Sequence, residues 1–363
     1  MDLEPNRLAG QLIVGGFPPG PLSRAFTQAL STGQRAGAIL FRRNLPSIPE
    51  AAELCRAIRD LAPADFPPFI GVDQEGGRVV RLPSPALTLP PMRELASFGD
   101  LELVRAAGNA VGDELRAIGV NLDFAPVLDV NTEAENPVIG DRAFGSDTRT
   151  VARFGVAFAR GLQQAFVLSC GKHFPGHGDT RKDSHTDLPV VSHHRARLDL
   201  VELPPFRAAI GAGIAALMTA HVVYDKLDAG VPATLSRSIC ASLLRAELGF
   251  EGVLFSDDLE MKAVADQWPV EQAAVEAVWA GCDALLICSD EGAQARAHEA
   301  LVREIEKNPR FRERAVEAVT RSLRIRKLCP PRPAIAAELA TLVGGDKSRA
   351  LAERIARRRS GSA

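Results

Sequence analysis

Between Lys172 and Pro189 the chain reads KHFPGHGDTRKDSHTDLP, a stretch dense in groups that exchange protons or bind metals. It holds His173, His177 and His185 with Asp179, Asp183 and Asp187, and five of the chain's seven histidines fall between His173 and His194. Zinc is the first chemistry to weigh. Pro175 and Gly176 separate His173 from His177, so the pair cannot sit as H-x-x-x-H on one helix face, and a metal loop would need a third ligand from elsewhere. Acid/base work asks for less. One residue separates Asp183 from His185, so within a turn the carboxylate can hold one ring nitrogen, aim the other at a substrate and stabilise the imidazolium. An Asp serves a His in the same way in hydrolase triads, although a D-x-H spacing is by itself a weak signal.

A second reactive candidate lies in VLFSDDLEM. If this segment is extended, Val253, Phe255 and Asp257 share one face while Leu254, Ser256 and Asp258 share the other, so only one aspartate can point inward. The other can cap the helix that follows. We assign the reactive role to Asp257 and the capping or supporting role to Asp258, an order that spacing alone leaves open. Glu260, past the strand end, is expected on a helix surface. Six cysteines are scattered without a CxxC pair and read as small buried hydrophobes, Cys170 included.

These residues need a scaffold, and the chain supplies a regular one. Short apolar, β-branched runs recur at QLIVGGF, GAILF, PFIGVD, VNLDFAPVLDV, FVLSCGKHF, AALMTAHVV, GVLFSDD and DALLIC. Longer stretches of helical period lie between them, several ending at a glycine just before the next run. Eight such units with no break in composition predict one α/β domain, a TIM-type (β/α)8 barrel over residues 1–330, with a doubly wound open sheet as the runner-up. A short helical extension over 331–363 follows the PPRP run, and its basic end RIARRRSGSA reads as a frayed, solvated terminus. In a parallel barrel the chemistry sits at the strands' C-terminal ends, and five of the eight runs finish in ionisable residues. Burying unpaired charges there would be costly, so a shared polar pocket is the economical reading.

A near-neutral net charge of −2 offers no field for nucleic acid. No run approaches the length needed to span a bilayer, and the N-terminus MDLEPNRLAG carries neither a secretory nor a transit pattern, so a cytoplasmic location is expected.

GVDQEGGRVVRL, GDRAFGSD, GKHFPGHGDT followed by DSH, and GVLFSDDLEM occur in this order, and together they resemble the short NagZ-type members of glycoside hydrolase family 3. The resemblance runs from about Gly15 to the end of the eighth unit. It departs at Glu260, where a serine is the commoner residue. What it implies is a barrel that hydrolyses β-N-acetylglucosaminides with retention, Asp257 being the nucleophile and His185 the acid/base, with Asp183 as its partner. It also implies sugar binding by Asp73, Arg81, Arg142, Lys172 and His173, residue types that accept from or donate to hydroxyl and acetamido groups. The implied substrate is a small glycan or muropeptide carrying N-acetylglucosamine on anhydro-N-acetylmuramic acid, as arises in peptidoglycan recycling. No metal or organic cofactor is expected. Two rivals stand beside this reading: a phosphorylase on the same scaffold, because a neutral imidazole repels phosphate less than a carboxylate would, and a non-catalytic sugar-binding sensor.

Overall fold

The computed structural model describes residues 3–181, 184 and 187–361. Its strands are β1 (Ile13–Gly15), β2 (Gly37–Leu40), β3 (Phe69–Val72), β4 (Leu122–Asp123), β5 (Leu168–Phe174), β6 (Val190–Val191), β7 (Ala216–Thr219), β8 (Val223–Tyr224), β9 (Val253–Asp258) and β10 (Ala284–Ile287). Eight of them close into a parallel barrel in the order β1-β10-β9-β7-β5-β4-β3-β2. Each of the eight apolar runs supplies one barrel strand. Because β1 pairs with both β2 and β10, no edge remains, and the open-sheet alternative is ruled out. β6 and β8 form a separate two-stranded parallel sheet over the loops.

Side-chain alternation divides the strand residues between two layers. Val14, Ile39, Phe69, Leu168, Cys170, Ala216, Met218, Val253, Phe255 and Leu286 belong to one apolar cluster that fills the barrel. Their neighbours Ile13, Leu217, Leu254 and Ile287, together with Leu40, Ile70 and Val72, pack into the clusters shared with the helices. Continuing the inward parity by one step puts Asp73 above Phe69 and Gly71, Lys172 above Leu168 and Cys170, and Asp257 above Val253 and Phe255. The filled interior thus turns polar at its C-terminal layer, where a barrel carries its chemistry.

Local signals fix the helices that return the chain between strands. Ser23, Ser47, Asp100 and Asp147 each accept a backbone N–H at the start of helices Arg24–Ser31, Ile48–Leu61, Leu101–Ile118 and Thr148–Gln164. Leu101–Ile118 stops at Gly119, whose φ of 98° suits glycine. Beneath the barrel, helix Pro309–Leu328 sends Arg326 into the floor. There the buried guanidinium donates to the carbonyls of Ala36 and Pro67 and to Gln11 Oε1, and lies 5.2 Å from the Phe69 ring.

After Cys329 the chain forms helices Ala336–Leu342 and Asp346–Arg359. They bury Leu339, Val343, Leu351 and Ile355 against the cluster that contains helix Leu101–Ile118. The Glu114 carboxylate on that helix accepts from the amides of Leu87 and Gly344 and from the Ser348 hydroxyl. The basic end, expected to fray, is helical through Arg359, and ion pairs from Arg354 to Asp100 (2.7 Å) and from Arg359 to Glu94 tie it down. Among the described residues no helix is long and apolar enough to cross a membrane.

Candidate active site

A cavity of about 300 Å³ opens at the C-terminal end of the barrel. Asp73, Arg81, Arg142, Lys172, His173 and Asp257 all line it, together with Glu75, His177, Ser184 and Asp258. Asp183 and His185 lie outside the described residues. Ser184, between them in sequence, is buried at the cavity wall.

Lys172 is the centre of one half of the site. Its ammonium, delivered by the inward parity of β5, donates to Asp73 Oδ1 at 2.7 Å and meets Glu75 Oε1 at 2.6 Å. Arg142, from the loop after β4, closes on Glu75 with two parallel bonds of 2.8 Å, the planar fit of a guanidinium to a carboxylate. Burial opposes charge on both partners, but the Arg142 and Lys172 cations hold the Glu75 carboxyl well below the usual range, and Asp73 and Glu75 hold the Lys172 ammonium above its own. All three therefore stay ionised. Arg81 stands 3.7 Å from Asp73 Oδ2, and its Nε is buried without a protein acceptor among the described residues. Among the described residues Asp73 Oδ2 makes no close hydrogen bond and, with the Arg81 side chain, lines the cavity where a polar ligand would sit.

The second half is organised around Asp129, fully buried in the loop after β4. Its carboxylate accepts from the backbone amides of His173 (3.1 Å) and His177 (2.7 Å) and bonds His173 Nδ1 at 2.7 Å. Burial opposes its charge, yet His173 and these donors leave the carboxyl below its ordinary value. With Nδ1 held from behind, His173 has Nε2 to offer the cavity. His177 bonds Thr180 Oγ1 through Nδ1 (2.8 Å) and Ser184 Oγ through Nε2 (2.9 Å). Burial, then the neighbouring His173, push its pKa down to about 4, so at neutral pH it is an uncharged strut.

Asp257 faces these groups from β9. Burial works against its charge, but His221, His173, the Asp258 backbone N–H and Lys172 outweigh it and keep the carboxyl below the usual range. The Asp258 amide donates to Asp257 Oδ1 at 2.8 Å. Asp258 Oδ1 accepts from the amides of Glu260 (3.1 Å) and Cys288 (3.2 Å), and His221 Nε2 meets the Asp258 carbonyl at 2.9 Å. A ring nitrogen facing a carbonyl must carry its hydrogen, so His221 donates there. Asp258 was expected either to cap the next helix or to support Asp257. The cap of helix Lys262–Ala265 is instead Met261, and Asp258 stitches β9 to the loop after β10. Glu260, expected on a helix surface, lies in the turn and accepts from the amides of Ser289 and Asp290.

The Asp257 carboxylate thus shares the cavity with a fixed array of charged and polar side chains. That arrangement suits attack on, or charge stabilisation at, a sugar carbon. Among the described residues no three His, Cys, Asp or Glu side chains converge as a metal site.

Residues 9–325 match the model of the glycosyl hydrolase family 3 N terminal domain. The chain belongs to glycoside hydrolase family 3. It is 44% identical over 259 residues to a beta-hexosaminidase of Thiobacillus denitrificans, covering 70% of this chain and 71% of that one. A family 3 beta-N-acetylglucosaminidase from a Paenibacillus species superposes with a TM-score of 0.94 at 39% identity, over 98% of this chain and 69% of that one. NagZ from Neisseria gonorrhoeae, solved in complex with N-trifluoroacetyl-D-glucosamine, superposes with a TM-score of 0.70 at 31% identity, over 85% and 97% of the two chains. The NagZ-type likeness expected from the motifs is borne out, and the protein is a glycoside hydrolase.

Sequence reasoning passed over Glu75, Asp129 and His221, and weighed His177 only as a metal ligand. Glu75 had a signal, since its place two residues after Asp73 puts it on the same side of an extended chain. Asp129 had little, because a carboxylate that serves backbone amides leaves no mark in side-chain spacing.

Proposed function

We propose that this family 3 enzyme removes terminal β-linked N-acetylglucosamine with net retention of configuration. The observation that carries the reading is the ionised Asp257 carboxylate in a cavity also lined by Asp73, Arg81, Lys172 and His173, whose polar groups suit sugar hydroxyls. The similarity to beta-hexosaminidases supports the choice of sugar.

In the first step Asp257 attacks the anomeric carbon as the glycosidic bond breaks. His185, oriented by Asp183, gives its proton to the departing oxygen, and a glycosyl ester remains on Asp257. In the second step neutral His185 takes a proton from water, whose oxygen attacks the same carbon and frees Asp257. Imidazole suits the double duty because its unperturbed pKa of about 6.5 lies near working pH. Lys172, Asp73, Arg81 and His173 hold the ring hydroxyls, while Arg142 fixes Glu75 and through it Lys172. The natural substrate in this reading is a muropeptide fragment bearing N-acetylglucosamine on anhydro-N-acetylmuramic acid, cleaved in the cytoplasm.

The test is turnover of 4-nitrophenyl N-acetyl-β-glucosaminide and of the muropeptide disaccharide in phosphate buffer, with the first-formed product followed by NMR. The expected product is free β-N-acetylglucosamine. An α-anomer as first product would remove the retaining mechanism, a sugar phosphate would make the protein a phosphorylase, and no turnover would leave a sugar-binding sensor.

A further inference from the structure

At the opposite end of the barrel, beneath β9 and β10, lies a second cavity of about 570 Å³. Two helical faces and a turn build it. On helix Pro309–Leu328, Arg310, Arg314, Glu317 and Arg321 recur at steps of three and four and share one stripe; on the helical segment Ser238–Glu247, Arg245 extends a row begun by Arg237 and Ala241. Trp279 and Gly281 complete the wall.

The floor of this cavity is a fixed ion network. Asp283, fully buried just before β10, takes Arg245 at 2.5 Å on one oxygen and Arg314 at 2.8 Å with Arg321 at 2.7 Å on the other. It also accepts the Leu254 amide at 3.0 Å. Glu317 pairs with Arg314 and Arg321. Neither Arg237 nor Arg310, both exposed at the rim, pairs with a carboxylate among the described residues. Counting Glu313 as well, five guanidiniums meet three carboxylates, so the cavity carries two positive charges in excess. Burial, with repulsion from Arg321 and Arg314, lowers the Arg245 pKa against the pull of Asp283, while Asp283 and Glu317 outweigh burial and raise that of Arg321.

From this geometry we infer that the cavity under the barrel is a binding site for a compact phosphate-bearing anion of two or more negative charges, held by Arg237 and Arg310 over the Arg245–Arg314–Arg321 floor. Guanidiniums match phosphate oxygens with paired planar N–H groups. A dianion neutralises the whole excess, where a single carboxylate would leave half of it. Trp279 gives an apolar flank for the organic part of such a ligand. The site is separate from the catalytic cavity, since no lining residue is shared.

Calorimetric titration of the full chain with inorganic pyrophosphate, at constant ionic strength set with chloride, tests this. Saturable one-to-one binding is expected, unaffected by excess N-acetylglucosamine. The double variant Arg237→Ala/Arg310→Ala should bind at least about tenfold more weakly, through loss of two charge-assisted contacts. Its unfolding midpoint without ligand should match the parent, because neither side chain holds a structural ion pair. Absence of saturable binding, binding that survives the double substitution, or binding displaced by N-acetylglucosamine would each overturn the assignment.

Discussion

Two adjacent carboxyl groups, Asp257 and Asp258, are pushed in opposite pKa directions at one strand end. Asp257 is held ionised by the cations and donors around the cavity, whereas burial, with Glu260 and Asp257 nearby, pushes Asp258 up to about 7 despite the amides of Glu260 and Cys288 on its Oδ1. Splitting a pair in this way keeps a second negative charge away from Asp257 at acidic pH. The linkage has a definite sign. An unfolded aspartate ionises near pH 3.9 and the folded Asp258 only near 7, so this group's contribution to stability is complete below about 4 and is lost as pH rises through about 7. Asp258→Asn keeps the Oδ1 acceptor and removes the titration. Denaturant unfolding at pH 5 and pH 8 should therefore show a smaller loss of stability on going to pH 8 in the variant than in the parent; equal losses would mean that Asp258 titrates as an ordinary carboxylate. Strand alternation showed that only one of the two aspartates can point inward and left open which, so the choice of Asp257 leaned on the family resemblance. Alternation could not foresee the role of Asp258, because a bond to the Cys288 amide joins residues thirty positions apart.

Loops, at the scale of elements, do the positioning. The segment after β5 is tied to the loop after β4 by Asp129, and its far end pairs β6 with β8. His177 and Thr180 brace the near end internally. In Asp129→Asn an NH2 group replaces one of two acceptor oxygens and confronts a donor from His173 or His177. The loss should be about 1–3 kcal/mol of stability, and kcat/KM should fall about 100-fold through misplacement of His173. Unfolding and steady-state assays on the same preparation check both. A variant with lower stability but unchanged kcat/KM would show Asp129 to be structural only. The sequence marked VNLDFAPVLDV as one run, yet β4 itself is only Leu122–Asp123, and beyond it the chain continues irregularly beside β5, with Val127 bridged to Lys172, before reaching Asp129. Runs as short as Val190–Val191 and Val223–Tyr224 carry no periodicity from which a sheet could be read.

For the whole molecule, eight apolar runs became eight barrel strands because a strand covered on both faces must be apolar throughout, a pattern that composition displays directly. The floor was not legible. RSLRIRK reads as a charged helix face, but Arg326 turns inward and donates to the Pro67 carbonyl and to the Ala36 carbonyl, which also accepts the Phe69 amide. In Arg326→Met the Pro67 carbonyl and Gln11 Oε1 lose the guanidinium within the core while the Ala36 carbonyl keeps only the Phe69 amide, and a loss of about 3 kcal/mol is expected. Below the transition kcat/KM should be unchanged, since the site lies at the other end of the barrel. Thermal unfolding together with assays at low temperature checks this; wild-type stability in the variant would deny the floor its structural role.

The central claim is that Asp257 becomes covalently bonded to the sugar. Its most direct test is to incubate the enzyme with a 5-fluoro N-acetyl-β-glucosaminyl fluoride, which forms the intermediate faster than water removes it, and to map the labelled peptide by mass spectrometry. One added sugar per chain, located on Asp257 within VLFSDDLEM, is the expected result. A label on another residue, or full inactivation of an Asp257→Ala variant's residual activity by the same reagent, would contradict it.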